Sequence, residues 1–492
     1  MKTKIMTKLS SLILLLFLCV ILVSGCTGTW DGPETGADVT GNGGLAVQKG
    51  QYLYFVNGYT ARDDMKDGDN KGELNYSGIY RAKLDENNNL MYEEDGTLKD
   101  CKKIVSKVAG YDDASLYIFG DYLYFSSPYA DKVADEENSS QTNNFNLTDF
   151  YSIKLDGTSL SKLYTTENDS DDLQFSFVKT NNCNDVNLVV YDGSKIVVVN
   201  CTTKKSAIVS ENVTGVAIPK VSEYKQNNNQ ISVQESSIYY TRSAKDDENI
   251  SGNVLAYSLI GENTENVILL GQNTYTIKSA NKDALVVSYK ATDDIAECNR
   301  FITFDNNGLP QTDLNQINEQ QLDSSGIASP MLCSFEDGNP YGIISTNANG
   351  KLVLLDYTNQ NKPFVLNDDL SLTPLCIVGN YVYSYDSENS LYRTNYKLAL
   401  TSADKSTCTE TIYDSTKTVE EDSDDTVADI YFKAENNFSV LGNHIYFYIP
   451  YEGNSATGYY LNRINLLDSE KTLQLVGVVQ QDHIKTEENT EE

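Results

Sequence analysis

Gly120-Asp121-Tyr122-Leu123-Tyr124-Phe125, then Phe150-Tyr151-Ser152-Ile153-Lys154-Leu155-Asp156-Gly157, then Ser161-Lys162-Leu163-Tyr164 decide the fold. They read as three strands, and Asp156-Gly157 is the kind of turn that joins antiparallel neighbours. In Tyr122-Leu123-Tyr124-Phe125 successive side chains point to opposite faces, yet all four are apolar or aromatic. Neither face expects water, so such a sheet must be covered on both sides.

The same unit recurs along the chain. Its first strand reappears as Gln51-Tyr52-Leu53-Tyr54-Phe55, Asn187-Leu188-Val189-Val190-Tyr191, Ser237-Ile238-Tyr239-Tyr240, Ala284-Leu285-Val286-Val287-Ser288, Tyr341-Gly342-Ile343-Ile344-Ser345, Asn380-Tyr381-Val382-Tyr383 and Asn443-His444-Ile445-Tyr446-Phe447, eight in all. The second strand is clearest at Ile79-Tyr80-Arg81-Ala82-Lys83-Leu84-Asp85, Leu352-Val353-Leu354-Leu355-Asp356 and Leu391-Tyr392-Arg393. Second-strand ends lie roughly 54 residues apart on average, the length of a sheet of three or four strands. Stacking such sheets around a central axis covers both faces of each, and closing the ring leaves only short edges. The expected fold is therefore an all-β β-propeller over residues 44–480, of eight blades, or seven if one unit is a false match. An irregular stack of β-sandwiches is the alternative. The 34 tyrosines fit blades, giving each strand a large apolar body with a hydroxyl that reaches the rim. Residues 481–492 are acidic, lack periodicity and are expected to be disordered.

With its Gly-x-Tyr-x-Tyr first strands and Leu-Tyr-Arg second strands, the chain resembles the β-propeller domains of bacterial lipoproteins related to the low-density-lipoprotein-receptor type. The receptor propellers' Tyr-Trp-Thr-Asp signature is absent, and the units around Val189 and Leu285 are degenerate. That resemblance implies a binding or scaffold role and transfers no catalytic residue.

Lys2, Lys4 and Lys8 precede the apolar run Leu12–Leu22, which meets Val23-Ser24-Gly25-Cys26. The run is short for a hydrocarbon core of about 30 Å, so residues 1–25 read as an export signal and not as a membrane span. The segment resembles the bacterial lipoprotein signal and its lipobox, with Val23 where leucine is usual. The resemblance implies a diacylglyceryl group, with acyl chains such as palmitate, on Cys26. It also implies a location on the outer face of the cytoplasmic membrane. Residues 26–43, rich in Gly, Thr and Asp, are expected to be a flexible tether. Trp30, the only tryptophan, is either an interfacial anchor beside the lipid or an exposed linker residue.

Charge and histidine content narrow the chemistry. There are 38 Lys and Arg against 70 Asp and Glu, for a net charge of -32, and no basic stripe of the kind that displaces counterions from a polyphosphate. Nucleic acid is excluded as a partner. Only two histidines exist, His444 and His483, and His444 takes the strand position that Tyr52, Tyr122 and Tyr381 hold in sister units. Without a Gly-x-Ser-x-Gly elbow, acyl hydrolysis is disfavoured. Paired carboxylates could still cleave glycosides, although the Asp-box repeats of sialidase-like propellers are missing.

Cys19 leaves with the signal and Cys26 takes the lipid. The other seven of the nine cysteines show no Cys-x-x-Cys spacing, so no metal site or cofactor is expected. Cys183 and Cys201 flank the apolar hairpin around Asp192-Gly193 and are the candidate disulfide; buried free thiols are the alternative. In Asp63-Asp64-Met65-Lys66-Asp67-Gly68-Asp69-Asn70, Met65 and Leu74 fall where oxygen ligands belong, so a calcium-loop pattern fails. The reading is a non-catalytic, membrane-anchored module for a protein or cell-wall partner, with the inserts Tyr129–Asn146 and Val419–Thr426 as candidate contact loops. A carbohydrate-active enzyme and a solute-capturing lipoprotein are the alternatives.

Overall fold

The computed structural model describes residues 32–477, apart from 60–77, 110–114, 129–131, 135–140, 144–146, 169–171, 180–184, 219–222, 225–235, 281–283, 291–297, 305–308, 311–317, 321–327, 335–340, 357–363, 416–437, 453–456 and a few single or paired positions. Among the described residues, eight antiparallel meanders follow one another along the chain, and each includes four strands contributed in order by one continuous segment. Blade 1 is built from Ala46–Lys49, Tyr52–Val56, Ile79–Lys83 and Lys102–Val105, and blade 2 from Tyr117–Phe119, Tyr122–Pro128, Thr148–Lys154 and Ser161–Thr165. Blades 3 to 8 start at Gln174, Val213, Thr274, Ala328, Thr373 and Phe438. The fold is an all-β β-propeller.

All eight segments read as first strands from the sequence are strands, but each is the second of its meander. The strand before it is the innermost. Ala46–Lys49 lies against both Tyr117–Phe119 and Phe438–Leu441, and Thr274–Ala280 lies against both Val213–Ala217 and Ala328–Ser334, so the first strands surround the axis. The inner strands carry mixed burial patterns, such as the exposed Thr373 and Val378 beside buried Pro374 and Leu375. That mixture hid them from a search for continuous apolar runs.

The Gly-x-Tyr signature has a backbone cause. Gly50, Gly120, Gly379 and Gly442 make the turn from first to second strand with φ of 57 to 59°, a left-handed conformation in which a side chain is strained. The Leu-Tyr-Arg signature has a packing cause. Arg81 lies opposite Tyr54 and stacks over Tyr52 at 4.9 Å, while Arg393 lies opposite Tyr383 and stacks over Tyr381 at 4.8 Å. An arginine on the third strand thus covers the tyrosine two residues before its cross-strand neighbour.

The core is distributed between blades. One apolar cluster spans blades 8, 1, 2 and 3; others join blade 3 to 4, 4 to 5, 6 to 7 and 7 to 8. Between blades 2 and 3 it contains a group of aromatic rings beside Leu188, Val190, Val197 and Val199. Phe177, fully buried, has Tyr117 at 5.4 Å, Tyr124 at 5.2 Å, Phe150 at 6.2 Å and Phe175 at 6.2 Å between ring centroids. Two asparagines act as short strand substitutes across blade boundaries. Asn42 donates to Ile118 O and accepts from Ile118 N, and Asn253 does the same with Tyr275.

The ring closes between blades 8 and 1, where a short strand from the blade 1 segment joins the sheet of blade 8. Gly58–Tyr59 pairs with Tyr459 and Tyr460, Tyr448 donates to Val56 O, and Leu45 N donates to Ser439 Oγ at 2.9 Å. A Cβ on Gly44 would stand 2.6 Å from that hydroxyl, so the close approach requires glycine.

Residues 32–43, which fall in the segment expected to be a tether, are nearly all described. Val39–Thr40 forms a strand on the inner edge of blade 1, in register with Gln48 and Lys49. Residues 1–31 and 478–492, with the acidic tail, lie outside the described residues. Phe177→Ala is expected to lower unfolding free energy by about 3–5 kcal/mol, and Phe177→Leu by less, because four rings lose a shared neighbour; denaturant unfolding followed by tyrosine fluorescence checks this.

Candidate functional site

A propeller offers two faces, and here they are built differently. Connections between first and second and between third and fourth strands form what we call the lower face. Connections between second and third strands, and the crossings from blade to blade, form the upper face.

The chain enters on the lower face. Pro33 and Ala37 pack against the Gly50 turn, where an added Cβ would meet theirs at 3.8 and 3.2 Å. Val39–Thr40 then runs inside blade 1, and its free edge pairs with Glu223–Tyr224, which belongs to the first-to-second connection of blade 4. A backbone bridge therefore crosses the axis from blade 1 to blade 4. Beside it Lys49, fully buried, donates to Gly120 O at 2.6 Å and meets Asp121 at 3.3 Å. Burial pulls the Lys49 ammonium below the usual lysine range, partly offset by Asp121.

The connections of this face expose both acidic and large apolar side chains, the former including Glu86, Glu93, Glu94, Asp121 and Glu470. Tyr92, Tyr122, Leu160, Val378, Leu398 and Leu467 are exposed there. Leu398 sits on a one-turn helix, Tyr396–Thr401, whose Tyr396 and Ala399 are buried and whose first turn is capped by Asn395.

On the upper face, the insert Tyr129–Asn146 carries a small hairpin, Lys132–Ala134 paired with Gln141–Asn143. Val419–Thr426 lies outside the described residues, as do Cys26, Trp30, Cys183, His483 and the Asp63–Asn70 run. Among the described residues, no group of histidine, cysteine, aspartate and glutamate could hold a metal ion, and no helix is long and apolar enough to cross a membrane. Several carboxylates instead fold their own turns. Asp85 accepts from the backbone of Asn87 and Asn89, which holds its carboxyl below the usual range, and Asp156 accepts from Thr158.

Cys201 is a free thiol, not half of the expected bridge. The hairpin register pairs Asn187 with Asn200, and Cys201 N donates to Val186 O. Position 186, not 183, therefore faces Cys201: the true turn is centred beyond Asp192-Gly193, so the apparent symmetry of the cysteines is out of register. Burial pushes the Cys201 thiol up to about 12 and the Cys101 thiol up to about 11, which leaves neither nucleophilic near neutrality.

The strongest polar cluster was not legible in the sequence. Arg242 on blade 4, 2% exposed, is held by Glu248 at 2.6 Å and Glu265 at 2.7 Å, and Tyr240 donates to Glu265 at 3.1 Å. Hydrogen bonds from Arg242 hold the Glu248 carboxyl down to about 2 and raise the guanidinium further above its already high range. Every Arg242 nitrogen is engaged, so the cluster fixes blade 4. His444 is likewise structural. It is 7% exposed with Nε2 unpartnered, and burial together with the Arg463 charge depresses its pKa to about 4.

No family model matches this chain, and no curated protein is similar enough in sequence to match it. Solved structures are similar in shape. Porphyromonas gingivalis dipeptidyl peptidase 4 aligns over 92% of this chain and 60% of its own, with TM-score 0.45 and 10% identity. The computationally designed Ika8 protein aligns over 90% of this chain and 97% of its own, with TM-score 0.40 and 11% identity. The β-propeller domain of the Trilobed protease from Pyrococcus furiosus aligns over 73% and 95%, with TM-score 0.36 and 10% identity. The chain spans only 60% of the length of the dipeptidyl peptidase. At such identities the likeness concerns fold alone.

Two substitutions test the polar positions. Arg242→Leu leaves two carboxylates facing an apolar side chain and is expected to cost about 3–5 kcal/mol near neutral pH. The Glu248 contribution is present above the unfolded carboxylate range and lost as pH falls toward about 2, so the deficit should shrink on acidification in parallel unfolding titrations. His444→Tyr restores the residue found in sister blades. Unfolded histidine takes up a proton below about 6.5 while His444 stays neutral to about 4, so wild-type stability falls by up to about 3 kcal/mol across that window. Urea unfolding at pH 4.5 and 7 should show that component missing from His444→Tyr.

Proposed function

We propose that this chain is a lipid-anchored extracytoplasmic β-propeller that serves as a non-catalytic binding or scaffold module for a protein or cell-wall polymer, tethered through Cys26. The observation that carries this reading is the division of labour between faces. The chain enters at the lower face beside Gly50, while the Tyr129–Asn146 insert and the connection containing Val419–Thr426 belong to the upper face. An anchor on one side leaves these two polar inserts directed outward, where propellers place variable contacts on a fixed scaffold. The buried or turn-forming roles of Arg242, Lys49, His444, Asp85 and Asp156 support a scaffold, since each of these ionisable groups is engaged in the fold. The finer likeness to lipoprotein propellers of the low-density-lipoprotein-receptor type rests on the Gly-x-Tyr and Leu-Tyr-Arg units.

The test is fractionation with capture. Cys26→Ala should move the protein from the membrane to the soluble fraction. Deletion of 132–143 or of 419–426 should abolish retention on isolated cell wall or on a cross-linked membrane partner, while Leu160→Ser should not. Unchanged retention in both deletions, or reducing-sugar release that depends on a pair of carboxylates, would overturn the reading.

A further inference from the structure

Eight large apolar side chains are exposed among the described residues, and six of them, Tyr92, Tyr122, Leu160, Val378, Leu398 and Leu467, lie on the lower face. The remaining two, Ile208 and Leu475, are on the outer strands of blades 3 and 8, and none is on the upper face. Single exposed apolar residues are ordinary; segregation to one face is not. The six also share one arc. Val378 and Leu398 belong to blade 7, Leu467 to blade 8, Tyr92 to blade 1, and Tyr122 and Leu160 to blade 2. Blades 1 and 8 are joined beside the arc by the Tyr92 hydroxyl, which donates to Leu475 O. Lys471 likewise joins blades 8 and 7 through Glu410 at 2.8 Å.

The middle of this arc is where the chain enters. Pro33 and Ala37 are already packed on the Gly50 turn of blade 1, so only a short piece of chain separates Cys26 from the folded part. Even fully extended, the segment from Cys26 to Gly32 spans at most about 20 Å. A propeller held on so short a leash, attached at its lower face, cannot turn that face away from the surface to which Cys26 is bound. The occupant suggested by leash length, attachment point and apolar arc is the same: a lipid surface.

We propose that the lower face of blades 7, 8, 1 and 2 rests on the bilayer, with Leu398 and Leu467 at its most protruding points inserted into the headgroup boundary. Leu398 is 50% and Leu467 74% exposed, and each leaves a blade on a third-to-fourth connection. This inference rests on the lipid-anchor reading and deepens it by naming the face that the membrane covers. The net charge of -32 and the exposed Glu93, Glu94, Asp121 and Glu470 of the same connections oppose electrostatic attraction to an anionic membrane, so the proposed contact is made by the apolar side chains alone. Tyr92 and Tyr122 supply the amphipathic rings that favour the interfacial zone.

The single tryptophan makes the test direct. In a Trp30→Phe background, Leu398→Trp, Leu467→Trp and, as an opposite-face control on blade 7, Glu388→Trp are purified in the lipidated form. They are reconstituted into vesicles of phosphatidylglycerol and phosphatidylcholine with or without acyl-chain bromination. Leu398→Trp and Leu467→Trp should shift to the blue and be quenched roughly twofold by the brominated lipid, insensitive to salt, while Glu388→Trp stays unquenched. All three positions are exposed, and circular dichroism confirms that each variant folds. Protein that floats with the vesicles but shows equal quenching at all three positions would overturn the membrane-facing arc and leave the anchor intact. Protein that fails to float would overturn the anchor and the arc together. A blue shift without quenching, accompanied by dimers in detergent, would assign the arc to a second copy of the chain and overturn the proposal.

Discussion

The structure depends on one constraint: a small sheet that is apolar on both faces must be covered on both. Tyr124, Phe125, Phe150 and Tyr151 of blade 2 project to its two sides, and no single partner sheet can bury them all. Packing each blade between two others meets the demand, but in an open row the end blades would remain uncovered. Closure of blade 8 on blade 1 removes those ends. It is made by side-chain and edge contacts, Ser439 Oγ to Leu45 N, Tyr448 to Val56 O and Tyr459 with Tyr59, while every blade keeps its own four strands. Hydrogen bonds and one short strand lent by the blade 1 segment to the blade 8 sheet thus fasten the seam.

That constraint also explains what was legible in the sequence. The second strands were found because they are the most continuously buried, as in Val186–Tyr191 and Ser237–Ser243, and because a left-handed glycine marks the start of many of them. The third strands were found where an arginine stacks on a tyrosine. The innermost strands were missed: the axis side is narrow and partly polar, so Val213–Ala217 and Thr373–Val378 mix exposed and buried residues. The strand Val39–Thr40 was missed for a different reason. Its neighbours are Gly, Thr and Asp, the composition of a linker, and its place is fixed by pairing with Gln48 and Lys49 and with Glu223–Tyr224, partners that no local pattern announces.

Long-range polar partners were equally invisible. Arg242 lies near the end of the buried strand Ser237–Ser243, and the fold brings Glu248 and Glu265 to it. The expected Cys183–Cys201 bridge failed on register, which local symmetry does not fix, since a shift of the turn moves every opposed pair. By contrast, the structural reading of His444 followed directly from comparison with sister units, where tyrosine occupies the same place beneath a third-strand arginine. The two faces could not be told apart from sequence at all. Their contrast depends on which end of each meander carries Leu398 and Leu467 and which carries the Tyr129–Asn146 insert.

The contact between Leu45 and Ser439 has a consequence for the time course of folding. These residues are 394 positions apart, so the last interface cannot form until almost the entire chain is available. Meanders can form as they emerge, each from local hairpins, but blade 1 must wait with one greasy side open until blade 8 arrives. During that interval the earliest-made part of the molecule is its most adhesive. A binding chaperone would find its target in blade 1, and the waiting time would grow with any delay in completing the C-terminal segment.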